Sequence, residues 1–223
     1  MKKEPLVIAI DGPAASGKSS VARALARKLG VVYVNSGAMY RAFTWHVLQK
    51  SIDPRDTPSV LALLHTMDFQ CVLNERESTL LIDGINPEPY LSDTEVNQNV
   101  SLVASLPEVR TYLVAKQREF QVDLVMEGRD ISTVVFPDTP WKFYVDASPE
   151  VRAARRARQG YHDEIIQRDQ RDSSRANSPL KLAKDAQFID SSHLTVEEVV
   201  EMIATRIIPT LPQTTNQQKE TIL

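Results

Sequence analysis

The stretch LVIAIDGPAASGKSS, residues 6–20, decides the fold of this chain. It opens with an apolar run, 6–10, of the kind that a strand buried on both faces of a sheet requires. The segment GPAASGKS, residues 12–19, then fits the pattern G-x-x-x-x-G-K-[ST]. Apolar residues recur at helical spacing after it, and Gly30 stands where a helix would end. Because a strand leads into the loop and a helix follows it, we interpret the loop as phosphate-binding rather than as a simple tight corner.

This loop offers what a chain of phosphates needs: backbone N–H groups at a helix N-terminus and glycines that permit a close approach. Lys18 is expected to reach the outer phosphates, and the Ser19 hydroxyl to ligate the Mg²⁺ ion that bridges them. The sequence therefore predicts an ATP or GTP site. Its nucleotide-binding residues are those of the loop: Gly12, Pro13, Ala14, Ala15, Ser16, Gly17, Lys18, Ser19 and Ser20.

Composition limits the classes of protein that the chain can join. At 223 residues it can bury one sizeable core, and its formal net charge of −3 argues against a general affinity for nucleic acid or membrane surfaces. We see no membrane span and no signal segment, so we expect a cytoplasmic protein. The single cysteine, Cys71, excludes an internal disulfide and is expected to be a small core residue.

Apolar runs alternate with helical patterns along most of the chain, which predicts an α/β fold with a parallel sheet covered on both faces by helices. The five predicted strands are 6–10, 31–34, 124–126, 141–145 and 187–189. The predicted helices are 19–29, 38–49, 96–104, 108–120, 149–159, 163–171 and 196–211.

Two segments break this alternation. Residues 68–91 are turn-rich with period-two apolar runs, which predicts a small antiparallel insert. Residues 152–175 carry seven arginines against four acidic residues, with Gly160 as a break, and are interpreted as a helical lid. Taken alone, such a charge run is as often a solvated helix face. Beside a phosphate loop it favours an anion-binding role, because guanidinium groups stabilise phosphoryl charge. From Pro212 the chain is polar, and we expect a frayed tail.

Three further motifs carry polar groups toward the carboxyl edge of the sheet, where open α/β sheets bind ligands. NSGAMYR, residues 35–41, offers a serine hydroxyl and an arginine that suit a second phosphate, although a capping serine is also common for structural reasons. In LVMEGRD, residues 124–130, Arg129 can neutralise an acceptor phosphate, and Glu127 is a weaker candidate for holding water on magnesium. RDQRDSSR, residues 168–175, is either a phosphate- and ribose-binding face or a set of surface Arg–Asp pairs.

Taken together, IDGPAASGKSS, SGAMYRA, VSLVASLPEVR, MEGRDISTVVFPD and QRDQRDSSR resemble the bacterial cytidylate kinase family in order and spacing. The resemblance covers nearly the whole chain except the tail. It implies the phosphate-loop nucleoside monophosphate kinase fold, in which a five-stranded parallel sheet is flanked by helices and carries a small antiparallel β insert and a helical lid. Residues 1–211 would then form one kinase domain, with the core at 1–60, 92–151 and 176–211, the insert at 64–91, the lid at 152–175 and a flexible tail at 212–223.

The same resemblance implies a monomeric enzyme of pyrimidine metabolism that uses ATP and Mg²⁺ to phosphorylate CMP or dCMP. The catalytic cations would be Lys18, Arg129, Arg168 and Arg171, and the lid would contact ATP through an arginine among Arg155, Arg156 and Arg158. The residues implied to bind CMP are Ser36, Gly37, Arg41, Ser101, Arg110, Arg129, Asp130, Arg168 and Asp172. Cytosine chemistry agrees, since an acceptor such as Asp130 beside donors such as Arg110 and Ser101 complements cytosine, whereas uracil would reverse one of the bonds.

Three residues depart from the family pattern. Ala14 stands where relatives often have serine, and Asn35 and Glu127 stand where many have aspartate. The detailed roles of those two aspartates in the family pattern are therefore not carried over to Asn35 and Glu127. The alternatives are another small-molecule kinase, acting on UMP, AMP or shikimate, and a nucleotide-dependent switch that binds a partner. The switch is disfavoured because the sequence has neither a D-x-x-G nor an N-K-x-D motif.

Overall fold

A seven-stranded sheet runs through the computed structural model, which describes residues 4–74, 76–158, 165–175 and 177–210, without the side chains of 74, 165–168 and 210. The strand order is β3-β4-β2-β5-β1-β6-β7, and among these pairings only β3 with β4 is antiparallel. The strands are β1 (Val7–Asp11), β2 (Val32–Asn35), β3 (Phe69–Asn74), β4 (Glu77–Ile82), β5 (Leu124–Gly128), β6 (Trp141–Asp146) and β7 (Gln187–Asp190). The predicted five-stranded parallel sheet is confirmed as β2-β5-β1-β6-β7.

Helices cover both faces of this sheet: α1 (Lys18–Leu29), α2 (Ser36–Gln49), α3 (Thr57–Leu64), α4 (Thr94–Val103), α5 (Pro107–Arg118), α6 (Pro149–Arg158), α7 (Ile165–Ser174) and α8 (Val196–Ile207). Alternate residues of β1 explain why both faces are apolar. Ile8 and Ile10 pack in one cluster with α1 and α8, whereas Ala9 belongs to a cluster on the opposite face with Val114 of α5. A strand buried on both sides must be apolar throughout, as the sequence of β1 is.

The predicted antiparallel insert is confirmed as the β3–β4 hairpin, but it does not form a separate sheet. β4 lies beside β2, where Tyr33 pairs with Glu77 in parallel, so the hairpin extends the main sheet. Helix α3 was not predicted, because its two turns include a proline in the first turn. Asp56 caps this helix by accepting from the Ser59 amide, and a proline in the first turn lacks only an N–H that would have no helical partner.

The predicted helices agree with the structure to within two residues at most ends. Two C-terminal ends differ by more. Helix α7 ends at Ser174, three residues after the predicted 171, and α8 ends at Ile207, after which a 3-10 turn, Ile208–Thr210, follows. A π-helical turn, Ile131–Val135, follows β5 and was not predicted. The predicted break at Gly160 and the tail from Pro212 lie outside the described residues. Within the described ranges, no helix has both the length and the apolar composition that crossing a membrane would need.

Candidate active site

A cavity of about 850 Å³ opens at the carboxyl ends of the central strands. Although the chain is acidic overall, nine cationic and five acidic side chains are among the described residues that line this cavity. An excess of cations in one enclosed space attracts anions. Sixteen of the predicted site residues line it: Ala14, Ala15, Gly17, Lys18, Ser19, Ser20, Ser36, Gly37, Arg41, Ser101, Arg110, Arg129, Asp130, Arg155, Arg158 and Asp172.

The phosphate loop connects β1 to α1 and needs its two glycines for different reasons. A Cβ at Gly12 would lie 2.0 Å from the Val145 carbonyl oxygen of β6, so no side chain fits there. Gly17 adopts φ 90° just before α1, a left-handed conformation that glycine reaches without strain. Lys18 is buried, and its Nζ donates to the Pro13 carbonyl 3.0 Å away, so the ammonium group is folded back over the loop.

Two arginines of α6 hold the phosphate loop from outside the sheet. The Arg152 Nη1 donates to the Ala14 carbonyl at 3.2 Å, and the Arg155 Nη1 donates to the Ser16 carbonyl at 3.1 Å. Arg155 also donates to Ser191, whose hydroxyl donates to the same Ser16 carbonyl at 2.8 Å. Arg155 was predicted to contact ATP, and its contacts in the structure position the loop, although it also lines the cavity.

Beside the loop, the Ser19 hydroxyl of α1 meets the Glu127 carboxylate of β5. The Ser19 hydroxyl donates to the Glu127 Oε1 at 2.8 Å, and the Lys18 Nζ lies 3.9 Å from the Glu127 Oε2. The hydroxyl of Tyr33 is 3.5 Å from the same Oε1, and burial beside this carboxylate raises the pKa of the Tyr33 hydroxyl. A hydroxyl and a carboxylate are oxygen ligands of the kind Mg²⁺ takes, so this donor set fits the ion. Among the described residues, no cluster of three or more His, Cys, Asp or Glu residues offers a metal site.

The start of α2, which lies beside β5, adds a further cation to the cavity lining, Arg41. The Asn35 side chain caps α2 by accepting from the Ala38 amide at 2.9 Å, so asparagine serves here as well as aspartate. Ser36 is therefore the first helical residue and not the cap, and its hydroxyl donates to the Glu127 carbonyl at 2.8 Å. Arg41 lies one turn further on, and no carboxylate within the described part of the chain is within 4 Å of it. Burial lowers the pKa of the Arg41 guanidinium, against the opposing effect of Glu127.

A buried ion pair closes one end of the cavity. Arg110 of α5 donates from Nη2 to the Asp130 Oδ2 at 2.5 Å and from Nη1 to the Ala104 carbonyl at 3.1 Å. Both side chains of the pair are about 5% exposed, and the guanidinium lies 5.1 Å from the centre of the Tyr40 ring. The Arg110 Nε is buried without a hydrogen-bond partner among the described residues. An acceptor and donors thus stand side by side in a site shielded from water.

A second pair of arginines shares the carboxylate of Asp172 on α7. The Arg129 Nε donates to Oδ2 at 3.0 Å, and the Arg175 Nη2 donates to Oδ1. Burial lowers the pKa of Arg129, but the carboxylates of Asp172, Glu127 and Asp169 outweigh it and raise the pKa above the usual value. Asp172, predicted to bind the sugar, therefore also orients Arg129 and Arg175.

The remaining predicted residues lie elsewhere. Gly12, Pro13 and Ser16 belong to the loop but are not among the cavity-lining residues, and Arg171 is exposed on α7. The backbone of Arg168 lies in α7, but its side chain is outside the described part of the chain. Arg175, which the sequence placed in the candidate phosphate- and ribose-binding face without a role of its own, also lines the cavity. Sequence reasoning missed other lining residues, among them Tyr40, Ser191, Leu194 and Thr195.

A glycine-bounded loop with Lys18 and a second group of cations, Arg41 and Arg129, open into one cavity, an arrangement that is typical of phosphate-loop kinases. A family model described as cytidylate kinase matches residues 8–208. The chain belongs to the cytidylate kinase family, and it is an ATP-dependent phosphotransferase.

Individual relatives agree with this assignment. The chain is 41% identical over 213 residues to a cytidylate kinase of Clostridium botulinum, covering 90% of this chain and 96% of the relative. It is 43% identical over 209 residues to a cytidylate kinase of Corynebacterium efficiens, covering 87% and 91%. A shikimate kinase structure from Bacteroides thetaiotaomicron is 15% identical and covers 91% of this chain and 98% of that chain, with a TM-score of 0.43, a likeness too distant to bear on function.

Proposed function

We propose that the cavity transfers the γ-phosphoryl group of ATP to CMP or dCMP, giving ADP and CDP or dCDP. The observation that carries this assignment is the buried Arg110–Asp130 pair, which lies in the same cavity as the phosphate loop. Family membership supports the same reaction.

The buried pair selects the base. Cytosine presents an amino donor beside a ring nitrogen acceptor, so its amino group would donate to Asp130 and its ring nitrogen would accept from Arg110, with help from the Ser101 hydroxyl. Uracil carries a carbonyl and an N–H at the corresponding atoms and would set acceptor against acceptor. A mismatched buried hydrogen bond costs about 1–3 kcal/mol, which yields a clear preference for cytosine.

The monophosphate of CMP would lie between Arg41 and Arg129, with the Ser36 hydroxyl and the Gly37 amide as further donors. Because no carboxylate among the described residues lies within 4 Å of Arg41, its charge is available to a ligand. Asp172 would accept from the sugar while it holds Arg129 and Arg175 in place. Our prediction that Arg168 and Arg171 approach the phosphates remains a prediction.

ATP would bind at the other end of the cavity. Its phosphates would lie on the loop and Lys18, and its adenine would lie toward Ser191, Leu194 and Thr195, which line that end. Ser19 would hold Mg²⁺, with Glu127 beside it as an acceptor for water on the ion. When bound, the ion would bridge phosphate oxygens and offset their charge.

Transfer needs orientation and charge stabilisation more than proton transfer. The attacking oxygen of the CMP phosphate is already ionised near neutral pH, so no general base is required. Lys18 and Arg129 would stabilise charge on the transferred group from opposite sides. Closure of the lid would exclude water, since an open site would let ATP hydrolyse.

The test is a comparison of CMP, dCMP, UMP and AMP as acceptors with ATP and Mg²⁺. We expect kcat/KM for CMP or dCMP to exceed that for UMP and AMP by at least tenfold. An Asp130→Asn variant should lose most of this preference, because the amide offers a donor where cytosine needs an acceptor. A preference for UMP or AMP in the wild-type protein would overturn the assignment.

We also propose that residues 1–211 act as one monomeric kinase domain in the cytoplasm. One chain supplies every residue that we assign to the two substrates, so the reaction requires no second copy. Nucleoside phosphates are multiply charged and do not cross membranes unaided, so an enzyme that uses ATP and CMP is expected where both are held. Sedimentation at enzyme concentrations used in assays tests the monomer.

A further inference from the structure

A π-helical turn, Ile131–Val135, follows directly after Arg129 and Asp130, which we assign to CMP in the proposed function. Backbone amides of residues 133–135 converge on the Asp130 carbonyl oxygen at distances of 2.9–3.4 Å. π-helical turns are rare and occur mostly at functional sites. The turn therefore fixes the backbone from which the Asp130 side chain reaches Arg110.

The carboxylate of Asp11 holds the first end of this turn. Its Oδ1 accepts from the Ile131 amide at 2.8 Å, and its Oδ2 accepts from the Ser132 amide at 2.8 Å and from the Ser132 hydroxyl. Asp11 is fully buried. Each carboxylate oxygen is thus committed to a backbone donor of the turn.

Arg118, at the end of α5, holds the other end. Its Nε donates to the Val135 carbonyl at 2.9 Å, and its Nη2 donates to the Val134 carbonyl at 2.6 Å. A carboxylate on the first amides and a cation on the last carbonyls also match the dipole of a helical turn. The turn is therefore clamped from both ends by side chains that do not line the cavity.

Asp11 is also the last residue of β1 and directly precedes Gly12, the first glycine of the phosphate loop. The residue that leads into the ATP-binding loop thus holds the turn that carries the cytosine-reading carboxylate. We infer that Asp11 and Arg118 are positioning residues that set the Asp130–Arg110 pair for cytosine relative to the phosphate loop. This inference rests on the proposed function and deepens it.

Replacing Asp11 tests the first end of the clamp. An Asp11→Asn side chain keeps one acceptor but must turn its NH₂ group toward either the Ile131 or the Ser132 amide, where two donors would face each other. Loss of such a bond shifts an equilibrium by about tenfold. We expect KM for CMP to rise about tenfold and the CMP-to-UMP ratio of kcat/KM to fall, while the dissociation constant of an ATP analogue changes less than twofold.

Replacing Arg118 tests the second end of the clamp. Because Arg118 lies on the surface, this variant still tests the inference if Asp11→Asn does not fold. Arg118→Gln is too short to reach both carbonyl oxygens, and we expect the same changes in KM for CMP and in base discrimination, to a smaller degree. Lys116→Gln is the matched control. It removes a charge from the same helix, where the Lys116 Nζ donates to Glu119 at 3.1 Å, and should leave both quantities unchanged.

The outcomes separate this inference from the proposed function. If the wild-type protein does not prefer CMP or dCMP, the proposed function fails. If the wild type prefers CMP but a folded Asp11→Asn or Arg118→Gln variant keeps the wild-type CMP-to-UMP ratio, the inference fails. A purely structural role would lower the melting temperature and the active fraction, and would leave KM for CMP and base discrimination as they are.

Discussion

For a single residue, Arg41, the role that we propose in binding CMP carries a cost in stability. Its guanidinium is half-buried, burial lowers its pKa, and no carboxylate of the described chain is within 4 Å. A partly desolvated cation without a partner destabilises the free protein and favours a bound anion.

We therefore expect Arg41→Met to raise the free energy of unfolding by about 0.5–1 kcal/mol and to raise KM for CMP by about tenfold or more. Arg27→Met is the control, since Arg27 is an exposed residue of α1 whose Nη2 is 3.7 Å from Glu77. Chemical denaturation and steady-state kinetics measure the two effects. Equal changes in both variants would contradict the assignment of Arg41 to the CMP phosphate.

Asp11 should couple stability to pH. Burial raises the pKa of this carboxyl to about 6 from 3.8, against the lowering effect of its hydrogen bonds from Ser132 and Ile131. Between these two pH values the folded state holds a proton that the unfolded state has released. The stability that this proton contributes is therefore fully present below about pH 4 and is lost as the pH rises through about 6.

The size of this effect follows from the shift, about 2 pKa units or on the order of 3 kcal/mol. Urea denaturation of the wild type and of Asp11→Asn between pH 4 and pH 7 isolates it, because other titrating groups are shared. We expect the wild type to lose stability relative to the variant as the pH rises. A difference that stays constant across this range would show that the carboxyl titrates normally.

At the scale of elements, α7 is fastened to the phosphate loop. The Asp169 Oδ1 accepts from the Ala14 amide at 2.9 Å, and its other oxygen pairs with Arg152 of α6. Arg152 in turn donates to the Ala14 and Ala147 carbonyls at 3.2 Å. One carboxylate therefore joins α6 and α7, which we expect to form the lid, to the phosphate loop.

We expect Asp169→Ala to loosen this junction and to reduce unfolding stability by about 1–3 kcal/mol, since a buried arginine loses a partner. Without the junction the lid should close less completely, so ATP hydrolysis in the absence of CMP should rise relative to phosphoryl transfer. The ratio of the two rates measures this. Glu150→Ala is the control, because Glu150 is an exposed carboxylate of α6. An unchanged ratio in Asp169→Ala would argue against a role in closure.

Elements with a strong periodic pattern were predictable, and those set by tertiary contacts were not. The strand β1 and the helix α1 are legible because burial on both faces and a 3.6-residue period leave a pattern in the sequence. The π-helical turn leaves none. Its hydrogen bonds with Asp11 and Arg118 join residues that are 120 and 17 positions apart in the sequence. The period-two pattern of the β3–β4 hairpin predicted an antiparallel pair. Its attachment to β2 depends on a contact with a distant segment and was not predicted.

The residues of the candidate site divide in the same way, into those that a sequence motif predicts and those that only the fold brings together. Residues next to glycines, such as Lys18 at the start of α1 and Arg129 after the end of β5, stand in motifs that the chemistry of phosphate explains. Side chains that hold these motifs in place carried no such signal. Ser191, for example, holds the Ser16 carbonyl from a loop about 175 positions along the chain, and only the fold brings them together.

At the scale of the whole molecule, net charge and local charge have opposite signs. The chain carries −3 overall, a charge of the same sign as that of a nucleotide, whereas cations outnumber carboxylates by nine to five among the described cavity-lining residues. Repulsion by net charge would slow association at low salt, and added salt would then speed it. Attraction by the cavity predicts the reverse, since salt screens the field over about 10 Å at 0.1 M.

We expect the cavity to dominate, because its charges lie closest to the path of an entering nucleotide and act across walls of low dielectric. The association rate constant of a fluorescent CMP analogue, followed by stopped flow, should fall several-fold between about 0.02 M and about 0.3 M NaCl. The neutral nucleoside cytidine, as a competitor whose binding needs no phosphate contact, should associate at a rate that salt leaves nearly unchanged. Arg41→Met should flatten the salt dependence for CMP by removing one of the attracting charges. An association rate for CMP that increases with salt would mean that the net charge, and not the arginine-lined cavity, governs how the substrate arrives.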